Sequence, residues 1–445
     1  MEADVCGVAP PDWPVRSIEE VCLRVTSGGT PSRSAPEYYH DGVWAWVKTQ
    51  ELTDGWLDDT EEHITDEAVA NSAAKVLPPK TILLALYGAT VGQLGLLRRE
   101  MTCNQACCAL IVDGNKADHR YVFYQLLHHR PQLKRLATGA AQQNLSGELI
   151  KSFRFPFPAL PEQRAIAHIL GSLDDKIELN RQMNETLEAM ARAIFKSWFL
   201  DFDPVRAKLA LSKAEGVEGR QPFGMDASTA AFFPDSFEDS PLGKIPKGWK
   251  VGTLADVAEN PRRGVRPAGL LPDTPYIGLE HMPRKSIALS DWGVARNVAS
   301  NKFRFCQGEI LFGKLRPYFH KVGVAVQDGV CSTDIVVIGA KSSEWFGILL
   351  GHVSSEEFVN YTDAVSTGTK MPRTNWQDMA RYEVPLPDSQ LANAHSQFTL
   401  RIVEMIRQNI LQSRTLGAIR DMLLPKLISG EIRVKDADRL LGSNQ

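Results

Sequence analysis

Residues 160–202, LPEQRAIAHILGSLDDKIELNRQMNETLEAMARAIFKSWFLDF, constrain this chain more than any other stretch. Between Glu162 and Phe199 there is no proline and one glycine, Gly171. Apolar side chains recur at alternating steps of four and three: Ile166, Leu170, Leu173, Ile177, then Leu187, Ala191, Ile194 and Trp198. That spacing predicts one long helix with a narrow apolar seam. At about 1.5 Å per residue it runs about 50 Å. Such a helix cannot cover its own seam by folding back, so the seam needs a partner. Residues 397–427 supply a candidate, with Phe398, Ile402 and Met405, then Leu416, Ile419 and Leu423, in the same rhythm.

Carried through its middle, the first rhythm lands on Asn180 and Asn184, and the second on Asn409 and Gln412. Each seam therefore holds a polar layer near its centre, and antiparallel pairing brings the two layers together. The competing reading turns these amides to solvent at a slightly shifted phase.

A length of 445 residues sets a prior of two or three domains, and 43% hydrophobic with 23% charged residues is ordinary for a globular protein. The opening MEADVCGVAPPDW has neither the basic start nor the apolar core of a signal peptide. The apolar run from Thr81 to Leu86 is far too short to cross a bilayer, so no membrane association is expected. Cysteines at 6, 22, 103, 107, 108, 306 and 331 lack CxxC spacing, which fits neither a disulfide framework nor a zinc site and suits a reducing cytoplasm. The net charge of −3 is unevenly spread. Residues 260–330 hold eleven Lys/Arg against five Asp/Glu, whereas residues 1–80 hold six against fifteen. A locally basic face in a neutral chain is compatible with DNA, and equally with a solvated surface.

Residues 13–158 read as a mixed α/β domain. Val43–Val47 and Thr81–Tyr87 are expected strands, Tyr121–Leu136 a helix, and Phe153–Phe157 a last strand broken by prolines. Residues 203–245, rich in Pro, Gly, Ser and acids, read as a connector without clear period. Then the pattern restarts. Trp249-Lys-Val-Gly-Thr-Leu-Ala-Asp-Val echoes the run at Trp13, Gly308-Glu-Ile-Leu-Phe-Gly echoes Lys80-Thr-Ile-Leu-Leu-Ala, and Val384-Pro-Leu-Pro echoes Phe155-Pro-Phe-Pro. The chain is thus a tandem duplication of globule plus helix, expected to have pseudo-two-fold symmetry.

Signatures of catalysis are scarce. Gly243-Lys244 lacks the rest of a phosphate loop, and no GxSxG, HExxH or GxGxxG occurs. Asp203-Pro204 lacks the aromatic partner and the glycine motif of an adenine methyltransferase and reads as a helix stop. Asp58, Asp59, Glu61 and Glu62 read as an exposed charge run rather than a metal site. His128 and His129, side by side, cannot share a helix face as ligands and read as polar surface.

Polar loops at matching places in the two globules are the stronger signal. In the first they carry Thr30 and Ser32, Lys48, Thr49 and Gln50, Tyr87 and Thr90, Asn104 and Gln105, and Gln142, Gln143 and Asn144. In the second they carry Arg262, Arg263 and Arg266, Lys314, Arg316, Tyr318 and Lys321, Thr333, and Lys370 and Arg373. Asn and Gln pair bidentately with adenine, Arg and Lys with guanine, and hydroxyls and cations suit phosphates. Any one of these residues alone is ordinary loop polarity; their clustering in corresponding loops is what suggests DNA.

Three motifs carry a family resemblance: GGTPS at 28–32 with EYY at 37–39, the long run from Leu160 through DPVRAK, and LLPKLISGEIRV at 423–434. With the duplicated layout, the chain resembles the specificity subunit of a type I restriction–modification system over nearly its whole length. One departure is visible: Pro387-Asp-Ser-Gln-Leu-Ala stands where the first repeat has Pro161-Glu-Gln-Arg-Ala. The resemblance implies an α+β protein with two mixed α/β target recognition domains, at 1–158 and 246–387. Between them come a long helix at 159–202 and the connector at 203–245, and a second helix with a tail fills 388–445; the helices pair as an antiparallel coiled coil. It implies that each domain reads half of a split target in double-stranded DNA. The helices would set the spacing and dock two methyltransferase subunits, with restriction subunits joining through them. It further implies no catalysis and no cofactor in this chain, with S-adenosylmethionine, Mg²⁺ and ATP on the partners. Two other classes stay open on the residues alone: a coiled-coil adaptor that binds no DNA, and a free-standing methyltransferase or nuclease.

Overall fold

The computed structural model describes residues 10–137, 144–213, 225–368 and 370–434. It divides into two compact units, residues 1–177 with 415–445, and residues 178–414. Both unit boundaries fall inside the long helices rather than at their ends.

The first unit opens with β1 (Val15–Ser17), α1 (Ile18–Val21), β2 (Cys22–Ser27), β3 (Trp44–Val47), β4 (Gly55–Leu57), β5 (His63–Ile64) and α2 (Asp66–Ala70). It continues with β6 (Ile82–Ala85), β7 (Leu94–Leu97), β8 (Thr102–Cys103), β9 (Cys107–Val112), α3 (His119–His128), α4 (Arg130–Leu136), α5 (Gly147–Ser152) and β10 (Arg154–Pro156). The long helix α6 (Leu160–Phe195) follows. A five-stranded sheet, β2-β9-β6-β7-β4, lies at the centre. One face, with Ile82, Leu84 and Leu110, packs on α3, on Phe153, Phe155 and Phe157, on Ile166 and Leu170, and on Leu424, Leu427 and Ile428. The other, with Leu83, Ala85 and Ala109, packs on Val47, Leu52 and Met101 beneath the small sheet β5-β3-β8. A strand covered on both faces reads as an unbroken apolar run, which is why residues 81–86 show no alternation.

In the second unit α7 (Asp203–Lys213), α8 (Ala227–Ala231), β11 (Phe237–Ser240), β12 (Gly243–Pro246), β13 (Lys250–Thr253), α9 (Leu254–Val257), β14 (Ala258–Glu259), β15 (Gly264–Val265), β16 (Pro275–Ile277) and β17 (Gly293–Val294) come first. β18 (Lys302–Phe305), β19 (Ile310–Gly313), β20 (Val322–Val324), β21 (Gly329–Cys331), β22 (Ile335–Ala340), α10 (Phe346–Val353), α11 (Glu356–Ala364), α12 (Trp376–Ala380), β23 (Glu383–Leu386) and α13 (Ser389–Ile428) complete it. Its sheet β14-β22-β19-β20 again separates two cores.

Hydrogen bonds make the duplication explicit. The pair β3–β8 is parallel, as is β16–β21. The Asn104 N–H donates to Val47 O, as Ser332 does to Ile277. The Leu86 N–H donates to Ala106 O, as Lys314 does to Asp334. A capping box closes α1 through Ser17 and Glu20 and α9 through Thr253 and Asp256. The two globules share a core topology, β14-β22-β19-β20 answering to β2-β9-β6-β7, and differ in the strands added at the sheet edges and in side chains.

Both long helices run antiparallel to each other within each unit. In the first, Arg420 Nη1 meets Asp174 Oδ1 at 2.7 Å and Arg433 chelates Glu162. In the second, Asn180 Nδ2 donates to Gln412 Oε1 at 2.9 Å and Asn409 Nδ2 donates to Asn184 Oδ1 at 2.9 Å. Ile166, Leu170, Ile194 and Ile402 are buried, while Leu173, Ile177, Leu187, Phe398, Leu416 and Leu423 are half-buried. Met405 and Ile419, expected on the seam, are instead 45% and 36% exposed. Ile406 and Ile410 take the buried places, with Leu187 and Ala191 of α6 and with Val326, Ile287 and Trp292 of the globule around them. Because α13 packs on both helix and globule, its apolar face is wider than a coiled-coil stripe and follows 3.6 residues per turn rather than 3.5.

The expected connector is also corrected. Residues 203–245 contain α7, α8 and most of a hairpin, β11–β12. Val205, Met225, Phe233 and Ile245 join Trp198, Phe199 and Trp249 in a core of their own. Asp203-Pro204 stops one helix and starts the next. The chain leaves α6 through a π-turn at Lys196–Leu200, turns at Phe202 with φ 55°, and re-enters a helix with Pro204 in its first turn.

Candidate nucleic-acid interface

Four bonds gather the loops of the first unit at one end of its sheet. Asn104 N–H reaches Val47 O (2.9 Å), Gly29 reaches Cys103 O (2.9 Å), Leu86 reaches Ala106 O (2.8 Å) and Leu145 reaches Leu86 O (2.8 Å). Gly28 permits the approach: a Cβ there would lie 2.1 Å from Cys103 O. Thr30, Ser32, Gln50, Gln105 and Asn144 are exposed around this end, and Tyr87, Thr90 and Asn104 are half-buried. The Thr30 hydroxyl is bonded to Gln105 Oε1. Gln142 and Gln143 lie outside the described residues.

Three residues have less freedom than their sequence suggested. Thr49 is buried, 6% exposed, in the turn after β3. The Asn104 side-chain carbonyl accepts from Ala106 N–H at 3.1 Å, which fixes the orientation of its amide. Lys48 Nζ is held by Glu62 (3.0 Å) and Glu61 (3.2 Å), and its hydrogen bond to Glu62 raises its pKa. The acidic run itself is paired, Asp58 with Arg98, Asp59 with Arg99 and Glu62 with Arg33. The loop surface of the first unit is therefore amide- and hydroxyl-rich with its cations compensated.

The second unit presents the same end with other chemistry. Leu315 bridges Arg373 where Tyr87 bridges Asn144. Arg262 and Lys314 line one cleft of about 280 Å³ with Asn260, Asn375 and Gln377. Arg262, Arg266, Thr333, Tyr318, Lys370 and Arg373 are exposed, and Lys314 and Arg316 half-buried. Arg373 meets Asp334 at 3.3 Å. Arg263 and Lys321 are structural instead. Arg263 pairs with Glu309 at 2.8 Å, which raises its pKa, and lines a groove against α13. Lys321 Nζ donates to Leu279 O, and burial lowers its pKa.

The fold finds a counterpart among known proteins, and so does the sequence. A family model described as the type I restriction modification DNA specificity domain matches residues 10–189. The type I restriction enzyme MjaIX specificity subunit of Methanocaldococcus jannaschii is 25% identical, over 98% of this chain and 96% of its own length. The HindI specificity subunit of Haemophilus influenzae is 28% identical, over 64% of this chain and 70% of its own length. Residues 10–189 thus match the type I DNA specificity domain, and the chain as a whole is similar to type I specificity subunits. A solved S subunit from M. genitalium shares the fold, with a TM-score of 0.55 and 16% identity over 96% of this chain and 98% of that one.

Sequence reading of this chain missed Asn260, Asn375 and Gln377 as lining of the second unit's cleft. The available signal was the amide-bearing Asn375-Trp-Gln run just after Arg373, where Asn375 caps α12. It also undervalued Gln163. This side chain, 1% exposed, accepts from Asp118 N–H at 3.0 Å and donates to Pro158 O at 2.9 Å. In the second unit Ser396 accepts from Gly347 N–H at 2.8 Å. A different residue thus ties the start of α10, despite the altered PDSQ motif. His129, expected at the surface, is 6% exposed against Phe153 and Phe155, with Nδ1 on Gln125 O at 2.9 Å. Among the described residues no cluster of His, Cys, Asp or Glu could hold a metal ion, and no helix is long and apolar enough to cross a membrane.

Proposed function

We propose that this chain is the DNA-reading subunit of a type I restriction–modification complex, with each unit reading one half of a bipartite target. The helices set the gap between half-sites and carry two methyltransferase subunits, and restriction subunits join through them. The chain has no catalysis of its own; S-adenosylmethionine, Mg²⁺ and ATP belong to the partners. One observation supports this reading above the rest: two loop clusters built on the same hydrogen-bond frame carry different side chains. An amide-rich surface in one unit and a cation-rich surface in the other suit two unlike half-sites.

The test uses the chain assembled with its methyltransferase subunits. Binding and methylation are measured on duplexes with either half of the target randomised, across a salt series. Randomising either half should abolish methylation, and log K should fall linearly with log salt. Tolerance of one randomised half would leave a single reader. Salt-independent binding, or assembly with proteins and no DNA, would make the chain an adaptor.

A further inference from the structure

We propose that the second unit reads DNA by insertion: Tyr318, with Met371 on the adjoining loop, wedges into a base step of its half-site and unstacks it. The proposal rests on the DNA-reading function above.

The connection between β19 and β20 reads Lys314-Leu-Arg-Pro-Tyr-Phe-His-Lys. Pro317 starts a three-residue turn, Pro317–Phe319. Side-chain-bearing residues flank it in the left-handed region, Arg316 at φ 51° and His320 at φ 50°. That conformation is disfavoured and persists only where the surroundings enforce it. Here they do. His320 is buried, with Nε2 on Ser354 O at 2.9 Å, and its carbonyl accepts from Lys285 N–H at 2.9 Å. Arg316 N–H donates to Pro372 O at 2.8 Å. The Arg284 guanidinium lies 4.2 Å from the Phe319 ring centre. Every neighbour is tied down, and Tyr318 is left 50% exposed, edge-on to Phe319 at 4.8 Å.

A second apolar tip stands on the adjoining loop. Met371 is 51% exposed, next to the Pro372 that holds Arg316. Lys314, Arg316, Lys370 and Arg373 sit on the same two loops, and Asp334 is the acid set against Arg373. Lysine is depleted from interfaces between proteins, so apolar tips set among Lys314 and Lys370 suit a duplex better. Cations take the phosphates while the tips enter the stack. Methionine is among the side chains used as wedges, and aromatic rings stack on bases. The corresponding connection in the first unit, between β6 and β7, carries Tyr87, half-buried against the core, then Gly88, Ala89 and Thr90, and so has no exposed aromatic tip. Unstacking should therefore be confined to the second half-site. It should favour a pyrimidine–purine step, which deforms most readily, so the wedge selects sequence without a hydrogen bond to a base.

The experiment uses the chain with its methyltransferase subunits and duplexes carrying 2-aminopurine at successive positions of both half-sites. Apart from the methylated positions, where a methyltransferase flips its own target base, wild-type binding should raise fluorescence several-fold at one step of the second half-site and nowhere in the first. Tyr318→Ala should remove that rise and weaken binding about tenfold. Tyr318→Phe should keep both. A rise that survives in Tyr318→Ala, or specific binding by wild type with no rise, overturns the wedge. If Tyr318→Phe behaves like Tyr318→Ala, the hydroxyl acts rather than the ring, and the wedge is again wrong. Loss of methyltransferase assembly in Tyr318→Ala would place the tip in a protein interface and overturn it too. A wild-type complex that binds no DNA overturns the reading function, and the wedge with it.

Discussion

His352 is buried with no partner on either ring nitrogen, and His395, 2% exposed, has none on Nδ1. The Phe195 ring packs against both, at 4.9 and 6.0 Å. Burial pushes the pKa of each down to about 3, and the neighbouring His352 adds to the effect on His395. In the unfolded chain both titrate near 6.5. Between these values the unfolded state binds more protons than the folded one. Their stabilising effect is therefore complete above about pH 6.5 and is lost as pH falls toward 3, with a slope of about 1.4 kcal/mol per pH unit for each. His352→Phe should remove one proton from that balance. Its melting temperature should fall less steeply than wild type between pH 6.5 and 4.5, as followed by circular dichroism. Parallel curves would mean that His352 is charged in the fold. None of this was legible in the sequence. A histidine's burial is decided by what lies opposite it, and the Phe195 ring meets His352 from 157 positions away.

The long helices were legible because a 3.5-residue rhythm without proline leaves the backbone few alternatives. Which face of α13 is buried was less so, since packing on two neighbours widens the stripe past Met405 to Ile406 and Ile410. The polar layer is a separate matter. Asn180 is fully buried, donates to Gln412, Ser413 and Asn409, and leaves its own carbonyl oxygen without a partner. Such a group costs about 1–3 kcal/mol. Apolar side chains would bind more tightly, but an amide pair is satisfied in only one register, and a buried Asn is known to fix register at a cost in stability. Changing Asn180, Asn184 and Asn409 together to Leu should raise the melting temperature. It should also loosen the spacing requirement or promote self-association. The measurements are methylation of targets whose gap is one base pair longer or shorter, and particle mass in solution. A variant that stays monomeric and keeps its spacing preference would show that the layer does not set register.

Across the whole molecule, charge is the property that sequence located but did not resolve. The excess of Lys and Arg over residues 260–330 is real in the count, yet geometry divides it into two populations. Arg263 is spent on Glu309, Arg296 on Asp273, Lys285 on Glu356, and Lys302 on the Ser300 hydroxyl and carbonyl. Arg262 and Lys314 face a shared cleft beside Asn375 and Gln377, and Lys370 is exposed on the neighbouring loop. Only the strand topology says which is which, because it carries Lys314 at the end of β19 to the same edge as Arg373. The first unit differs in kind: its acids, dense in sequence, neutralise the cations beside its polar loops. Neutralising phosphates should therefore fall mainly to the second unit, and within it to the uncommitted cations. Each phosphate left without its cation makes the fall of log K with log salt shallower by about 0.9. Changing Arg262, Lys314 and Lys370 together to Ala should flatten that slope by about 2–3 in the assembled complex. Arg263→Ala should leave the slope unchanged while lowering the melting temperature, because it breaks the bond to Glu309. The opposite pattern, a slope that responds to Arg263 and ignores the other three, would move the DNA to the groove along α13 and away from the loops.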